Sequence, residues 1–154
     1  MLKPCFGAEG HGVTRFSKRD TTYAASVLRE LLRMSDVLLQ AYVPAVEQGE
    51  YSAVFIGNEY SHCVKKTPRK GDFRSNYSFG AREELIELQP ELRTEVTQIY
   101  KKCAIESLYA RFDFVLAKTG IILMELELIE PYLFMDVQPA AAQKFVRAFE
   151  RLTS

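Results

Sequence analysis

The chain has 154 residues with 20 basic and 20 acidic side chains, a formal net charge of zero, 47% hydrophobic and 26% charged residues. That composition describes one soluble globular domain with enough apolar residues for a core, and the neutral balance argues against nonspecific nucleic-acid binding, which needs a basic face. No apolar run approaches the roughly 18 residues of a membrane span, and the first residues lack a signal-peptide pattern.

In chain order, Met1-Leu2-Lys3-Pro4 is a short apolar segment followed by a loop with Gly7, Gly10 and Gly12, and Val13 to Phe16 reads as a return strand. From Asp20 to Met34, the apolar Ala24, Val27, Leu28 and Leu31 recur at helical spacing, with Asp20 or Thr21 as the cap. Val37 to Val43 reads as a buried strand. Glu50 to Ile56 and Glu59 to Lys66 flank Gly57-Asn58, a two-residue hairpin signal. Pro68 to Gly80 is polar, rich in Gly, Arg, Lys and Ser, and reads as a loop. Pro90 fits the first turn of a helix with the stripe Leu92, Val96, Ile99, Tyr100 and Cys103. Tyr109 to Leu116 and Ile121 to Ile129 read as strands joined around Thr119-Gly120. A final helix starts near Asp136, with Pro139 early and Phe145, Phe149 and Leu152 on one face. Successive hairpins within this mixture predict an α+β fold with a mostly antiparallel sheet and flanking helices, not a doubly wound one.

Cys5, Cys63 and Cys103 are odd in number, far apart and without CxxC spacing, which argues against a disulfide scaffold or zinc cage and for a reducing, cytoplasmic setting. His11 and His62 form no metal pair and read as ordinary surface or sheet positions. The strongest chemical signal is Arg111-Phe112-Asp113 with Glu125-Leu126-Glu127. Alternate strand residues share a face, so Arg111 goes with Asp113 and Glu125 with Glu127. A three-residue turn centred on Thr119 sets Asp113 opposite Glu125 and Arg111 opposite Glu127. Cross-strand β-carbons lie about 4.5–5.5 Å apart, and carboxylates that close need a cation or a proton between them. Hard oxygen donors suit Mg²⁺. On spacing alone, a solvated hairpin face carrying ordinary charges explains the pattern about as well.

The surrounding motifs favour the metal. MELELIEP preceded by RFDF, LKP with its glycine loop, LLQAYVPAVEQGEYS, and VKKTPRKGDFRSNYSFGA occur in an order that resembles ATP-grasp ligases of the glutathione-synthetase-like and cycloserine-pathway types, over nearly all of residues 1–152. The resemblance implies ATP held between two α+β subdomains, here 1–48 (small, partial) and 49–154 (large), with Mg²⁺, or Mn²⁺ in its place, bridging phosphates to Asp113, Glu125 and Glu127. Many relatives have Asn where this chain has Glu127, and Glu130 is taken as a neighbour, not a ligand. By the same resemblance Lys3 reaches the ATP phosphates, and the loop from Gly7 to Gly12 covers them. In that loop Glu9 and His11 replace small residues. Gln40, Ala41, Tyr42 and Val43 form the strand that meets adenine. Glu50 contacts ribose, and Lys66, Arg74 and Asn76 approach phosphate and substrate carboxylate. Arg111 resembles a phosphate-holding arginine.

The reaction implied is ATP-dependent ligation of a small carboxylic acid to an amine through an acyl phosphate, with Arg74 or Arg111 stabilising the oxyanion. No protein nucleophile is needed. The family's substrate domain precedes its ATP-grasp core and is absent from this chain, so a C-terminal ATP-grasp portion is expected, as a homo-oligomer or with a partner chain supplying the remainder. The other readings are a noncatalytic nucleotide-binding module and a remnant. The acids are expected to segregate on the C-terminal hairpin, and the bases on the Lys3 strand and the Lys66–Arg74 loop. Neither nucleic acid nor membrane is expected as a partner.

Overall fold

A computed structural model describes residues 1–7 and 10–153, so Glu9 of the glycine loop lies outside the described residues. The chain forms two compact units, Met1–Pro44 and Ala45–Ser154.

In the first unit, β1 (Leu2–Pro4) pairs antiparallel with β2 (Val37–Leu39), Leu2 opposite Leu39 and Pro4 opposite Val37. The expected return strand from Val13 to Phe16 reduces to a single bridge between Thr14 and Leu2, whose amides and carbonyls exchange bonds of 2.9 Å. Helix α1 spans Thr21–Leu31. Asp20 occupies the position before it without capping it. Its carboxylate accepts instead from the Ser17 hydroxyl at 2.6 Å and the Ser17 amide at 3.2 Å, competing with the helix for the same acceptor. The buried strand expected from Val37 to Val43 is corrected: it stops at Leu39, and Leu38 and Leu39 are 56% and 77% exposed. A strand runs only as far as its partner. The short β1 ends the ladder, and the Gln40 amide closes it by donating to the Met1 carbonyl at 3.0 Å.

The second unit is built on an antiparallel sheet in the order β5-β4-β3-β6-β7, from β3 (Glu50–Ile56), β4 (Glu59–Thr67), β5 (Arg82–Ile86), β6 (Tyr109–Ala117) and β7 (Gly120–Glu127). Gly57 and Asn58 both have positive φ, 58° and 65°, as a type I′ turn between β3 and β4 requires. Strand alternation divides the apolar residues between two faces. One packs Phe55, Phe112 and Phe114 against Val96 and Tyr100 of α2 (Pro90–Lys102), the Phe55 and Tyr100 rings stacking 3.9 Å apart. The other packs Val54, Ile56 and Val64 against Phe134 and against Ala141 and Ala148 of α3 (Ala140–Thr153).

Two helical expectations are corrected. Cys103 lies just past the end of α2 and is exposed, because the helix buries Val96 and Tyr100 and fades at its last turn. Helix α3 begins at Ala140, not near Asp136, and it meets the sheet through alanines, so Phe149 and Leu152 remain 52% and 66% exposed while Phe145 is partly buried. The small side chains permit close approach: a β-carbon on Gly57 would stand 3.0 Å from that of Ala148.

Candidate functional site

The charged residues collect on the α3-facing side of the sheet, beyond the apolar patch. β3 is central, with β4 on one side and β6 on the other. Glu50 is opposite Lys66, and Ser52 is opposite Asp113. On β7, Glu125 is opposite Asp113 and Glu127 opposite Arg111, as expected. The route to that register differs from the expectation. The turn is the two-residue Lys118-Thr119, and a bulge at Asp113/Phe114 leaves Met124 without a partner, which restores the pairing.

Asp113, almost wholly buried, is the hub. Lys66 Nζ donates to its Oδ2 at 3.0 Å and meets Glu50 Oε1 at 2.6 Å. Arg111 Nε donates to Asp113 Oδ1 at 3.0 Å, Nη2 to Oδ2 at 3.0 Å, and Nη2 also to Glu127 Oε1. Arg111 Nη1 reaches the Tyr132 carbonyl at 3.4 Å. One carboxylate oxygen from each of Asp113, Glu125 and Glu127 lies within 4.8 Å of the others. Burial disfavours the Asp113 anion, but Lys66 and Arg111 prevail and hold its carboxyl below the ordinary range. Burial likewise opposes the Lys66 charge, and Asp113 and Glu50 more than restore it. Burial raises Glu50, and it pushes Glu127 up to about 7 against the pull of Arg111, with Glu125 and Asp113 adding repulsion. Three carboxylates this close cannot all ionise cheaply without further positive charge, which is the electrostatic condition of a cation site.

The structure therefore brings together Glu50, Lys66, Arg111, Asp113, Glu125 and Glu127. The expected segregation of acids from bases is corrected, because Lys66 and Arg111 sit inside the acidic patch as its buried counter-charges. Arg111 donates to carboxylates through Nε and Nη2, while its Nη1 meets only the Tyr132 carbonyl at 3.4 Å. Arg74 and Asn76 lie in the loop between β4 and β5. The Arg74 guanidinium forks onto Asp72 at 2.7 and 3.0 Å and stacks over Phe79 at 3.5 Å, while the Asn76 carbonyl accepts from the Phe79 amide at 3.0 Å. Lys3 is on β1 opposite Leu38 in the first unit, where Gln40 to Val43 run as irregular chain and Arg15 lies 3.7 Å over the Tyr42 ring. His62 is buried on β4, between the Ser61 hydroxyl and the Leu133 carbonyl, each at 3.0 Å.

Sequence reasoning missed Glu83. It stands opposite Lys66 on β5, on the same face as the patch, and burial raises its carboxyl although Lys66 opposes the shift. Its segment, REELI, has no apolar stripe, so only pairing to β4 identifies it as a strand.

A sequence model of the prokaryotic glutathione synthetase ATP-grasp domain matches residues 1–138. The chain is 29% identical over 107 residues to the glutathione synthetase of Prochlorococcus marinus subsp. pastoris, covering 66% of this chain and 34% of that protein. To the enzyme of Prochlorococcus marinus strain MIT 9313 it is 34% identical over 94 residues, covering 57% and 29%. The chain thus spans about a third of the length of these relatives. Among solved structures it superposes on the D-cycloserine synthetase DcsG with a TM-score of 0.77 at 24% identity, covering 98% of this chain and 55% of that one. On the D-alanine–D-alanine ligase from Bacillus anthracis complexed with ATP the TM-score is 0.63 at 15% identity, over 99% and 60%. At such identities these two likenesses concern the fold, which is the expected α+β arrangement on an antiparallel sheet.

Proposed function

Because the chain belongs to the family of the prokaryotic glutathione synthetase ATP-grasp domain, we propose that it serves ATP-dependent joining of a small carboxylic acid to an amine with the help of Mg²⁺. The observation that carries this reading is the convergence of Asp113, Glu125 and Glu127 beside Lys66 and Arg111. An all-oxygen donor set without thiolate or imidazole suits a hard cation, and Mg²⁺ usually takes one or two carboxylates with phosphate oxygens and water; Mn²⁺ accepts the same donors. The ion supplies charge compensation for the transferring phosphoryl group.

In the proposed reaction a substrate carboxylate oxygen attacks the γ-phosphorus of ATP and ADP leaves. The amine nitrogen then attacks the acyl carbon, phosphate departs with the electrons of the broken C–O bond, and the nitrogen gives up a proton. The protein's contribution is positioning and charge. Lys66 and Arg111 keep Asp113 ionised and fixed. Lys3 is assigned to the ATP phosphates, the backbone of Gln40, Ala41, Tyr42 and Val43 to adenine, and Glu50, through the oxygen not bonded to Lys66, to ribose. Arg74 and Asn76, on the loop that follows Lys66, are assigned to the phosphate and substrate carboxylate, and Arg74 to the oxyanion. We place the boundary between small and large ATP-grasp subdomains at 48/49, and the protein in the cytoplasm.

A rise in melting temperature on adding ATP that requires Mg²⁺, and that disappears when Glu125→Gln and Glu127→Gln are combined, is the expected result. No shift at millimolar ATP would sink the reading. A second reading is a noncatalytic nucleotide-binding module that works with another copy or another chain. An ATP-dependent shift without ligation or ATP hydrolysis in the presence of acid and amine would select it.

A further inference from the structure

Arg74 is gripped on one edge and one face by residues of its own loop. A guanidinium carries five N–H donors in a fixed plane. Asp72 takes the side-on pair: Nε donates to Oδ1 at 3.0 Å and Nη2 to Oδ2 at 2.7 Å. Asp72 is itself pinned, because Oδ1 also accepts from the Phe73 amide at 2.8 Å and the Arg74 amide at 3.0 Å. The face of the guanidinium rests on Phe79, 3.5 Å from the ring centroid. The short 3₁₀ turn Tyr77–Phe79 brings that ring back over Arg74, and the Gly80 amide closes the turn on the Tyr77 carbonyl at 2.8 Å. Three N–H groups remain, both on Nη1 and one on Nη2, and none of them has a partner among the described residues.

Nη1 and Nη2 together form the end-on fork, the other edge by which a guanidinium holds two oxygens of a carboxylate or phosphate. Resting on the assignment of Arg74 proposed above, we infer that Asp72 and Phe79 are positioning residues, which hold the guanidinium so that its end-on fork is presented to the anion. The pair with Asp72 is partly exposed and contributes little to folding. Its effect is geometric. Phe79 sets the plane of the guanidinium and Asp72 sets its rotation within that plane, so less freedom is lost when an anion binds. Asp72 acts on an anion in two opposite ways: its charge repels, and its grip on Arg74 presents the fork. Asp72→Asn separates the two. Asparagine keeps Oδ1 for the loop amides and for Nε, but sets an NH₂ against Nη2 and releases it.

The test measures, by calorimetric titration of the whole chain, the affinity for the β,γ-imido analogue of ATP with Mg²⁺. Arg74→Gln is expected to weaken it about tenfold, the scale of one charge-assisted hydrogen bond. Asp72→Asn is expected to weaken it about threefold despite the lost negative charge, the cost of ordering one long side chain afresh. Asp72→Glu should recover part of that loss, and Asp72→Asn should add nothing on top of Arg74→Gln. Phe79→Leu, which keeps an apolar side chain without the flat face, is expected to act as Asp72→Asn does and replaces it if that variant loses its cooperative melt. Tighter or unchanged binding with Asp72→Asn, no recovery with Asp72→Glu, or the same loss on top of Arg74→Gln would overturn the inference and leave Arg74 in its role. No effect of Arg74→Gln would overturn the assignment of Arg74, and this inference with it. No binding by the natural sequence at millimolar analogue would sink the nucleotide reading as a whole.

Discussion

Lys66 and Asp113 belong to strands that are not neighbours, yet the Lys66 ammonium crosses over β3 to meet the Asp113 carboxylate at 3.0 Å. On the way it meets Glu50 at 2.6 Å. Loss of this buried ammonium strands Glu50 and leaves Asp113 with Arg111 alone. Lys66→Met is expected to cost about 3 kcal/mol, the range found when one partner of a buried pair is removed. Equilibrium urea denaturation measures it. The double variant with Glu50→Gln should lose less than the sum of the two single variants, because each removes the other's partner.

The core packed against α2 and the outer side of α3 should respond unequally. Phe55→Ala opens a cavity beneath the stacked Tyr100 ring and should cost about 3–5 kcal/mol. Phe149→Ala on the outer side of α3 should change stability by less than about 0.5 kcal/mol. Paired melts of the two variants decide whether the exposed side of α3 is energetically silent.

Asn58 sits at positive φ, where glycine is ordinarily favoured, but its side-chain oxygen accepts from the Tyr100 hydroxyl at 3.2 Å and the Ser107 amide at 3.4 Å. Asn58→Gly relieves the backbone but removes the shared acceptor, leaving the Tyr100 hydroxyl only the Ser107 hydroxyl at 3.5 Å and the Ser107 amide to solvent. A net loss of about 1 kcal/mol is expected. A stabilised Asn58→Gly variant would mean that the turn dominates.

His62 carries the pH dependence that is simplest to isolate. Its Nε2–H donates to the Leu133 carbonyl, its Nδ1 faces Ser61, and Lys144 lies close enough to oppose a further charge. Burial first, then Lys144, depress its pKa below 6.5, although the Leu133 bond pulls the other way. With the folded value below the unfolded one, the ring is neutral in both states above 6.5 and contributes no slope. Below that pH the unfolded chain takes up the proton first, so stability falls as the pH falls. His62→Gln should flatten this part of a stability–pH curve, measured by denaturation at several pH values. An unchanged slope would place the titration elsewhere.

Arg74 is expected to matter for chemistry and little for folding. Its pair with Asp72 is partly exposed, so Arg74→Gln should leave the melting temperature nearly unchanged. Under the proposed function it should lower the rate of ATP-dependent product formation by about a hundredfold, the usual scale for loss of one charge-stabilising donor. Steady-state assays alongside a melt separate the two effects.

The hairpins and the acidic patch were legible because strand alternation is a short-range rule that needs only the residues themselves. Asp113 stands opposite Glu125 as the spacing predicts, although the turn is one residue shorter than expected, because the unpaired Met124 offsets that residue. Features set by a distant partner were not legible. β5 is a strand because β4 offers it an edge, and β2 is short because β1 is. The role of Arg111 followed the same rule. Its place opposite Glu127 could be read from spacing, but its bonds to Asp113 and Glu127 depend on how side chains reach within a crowded patch.

Met124 gives the β6–β7 hairpin a joint. On the turn side of it the ladder counts from Ala117 opposite Gly120, and on the patch side it counts from Asp113 opposite Glu125, one step out of phase. Changes of length at the tip can therefore be absorbed at the joint before they reach the carboxylates. A regular ladder would transmit the same single-residue change along its whole length and turn Glu125 and Glu127 to the opposite face. The hairpin can vary at one end while its other end stays in register.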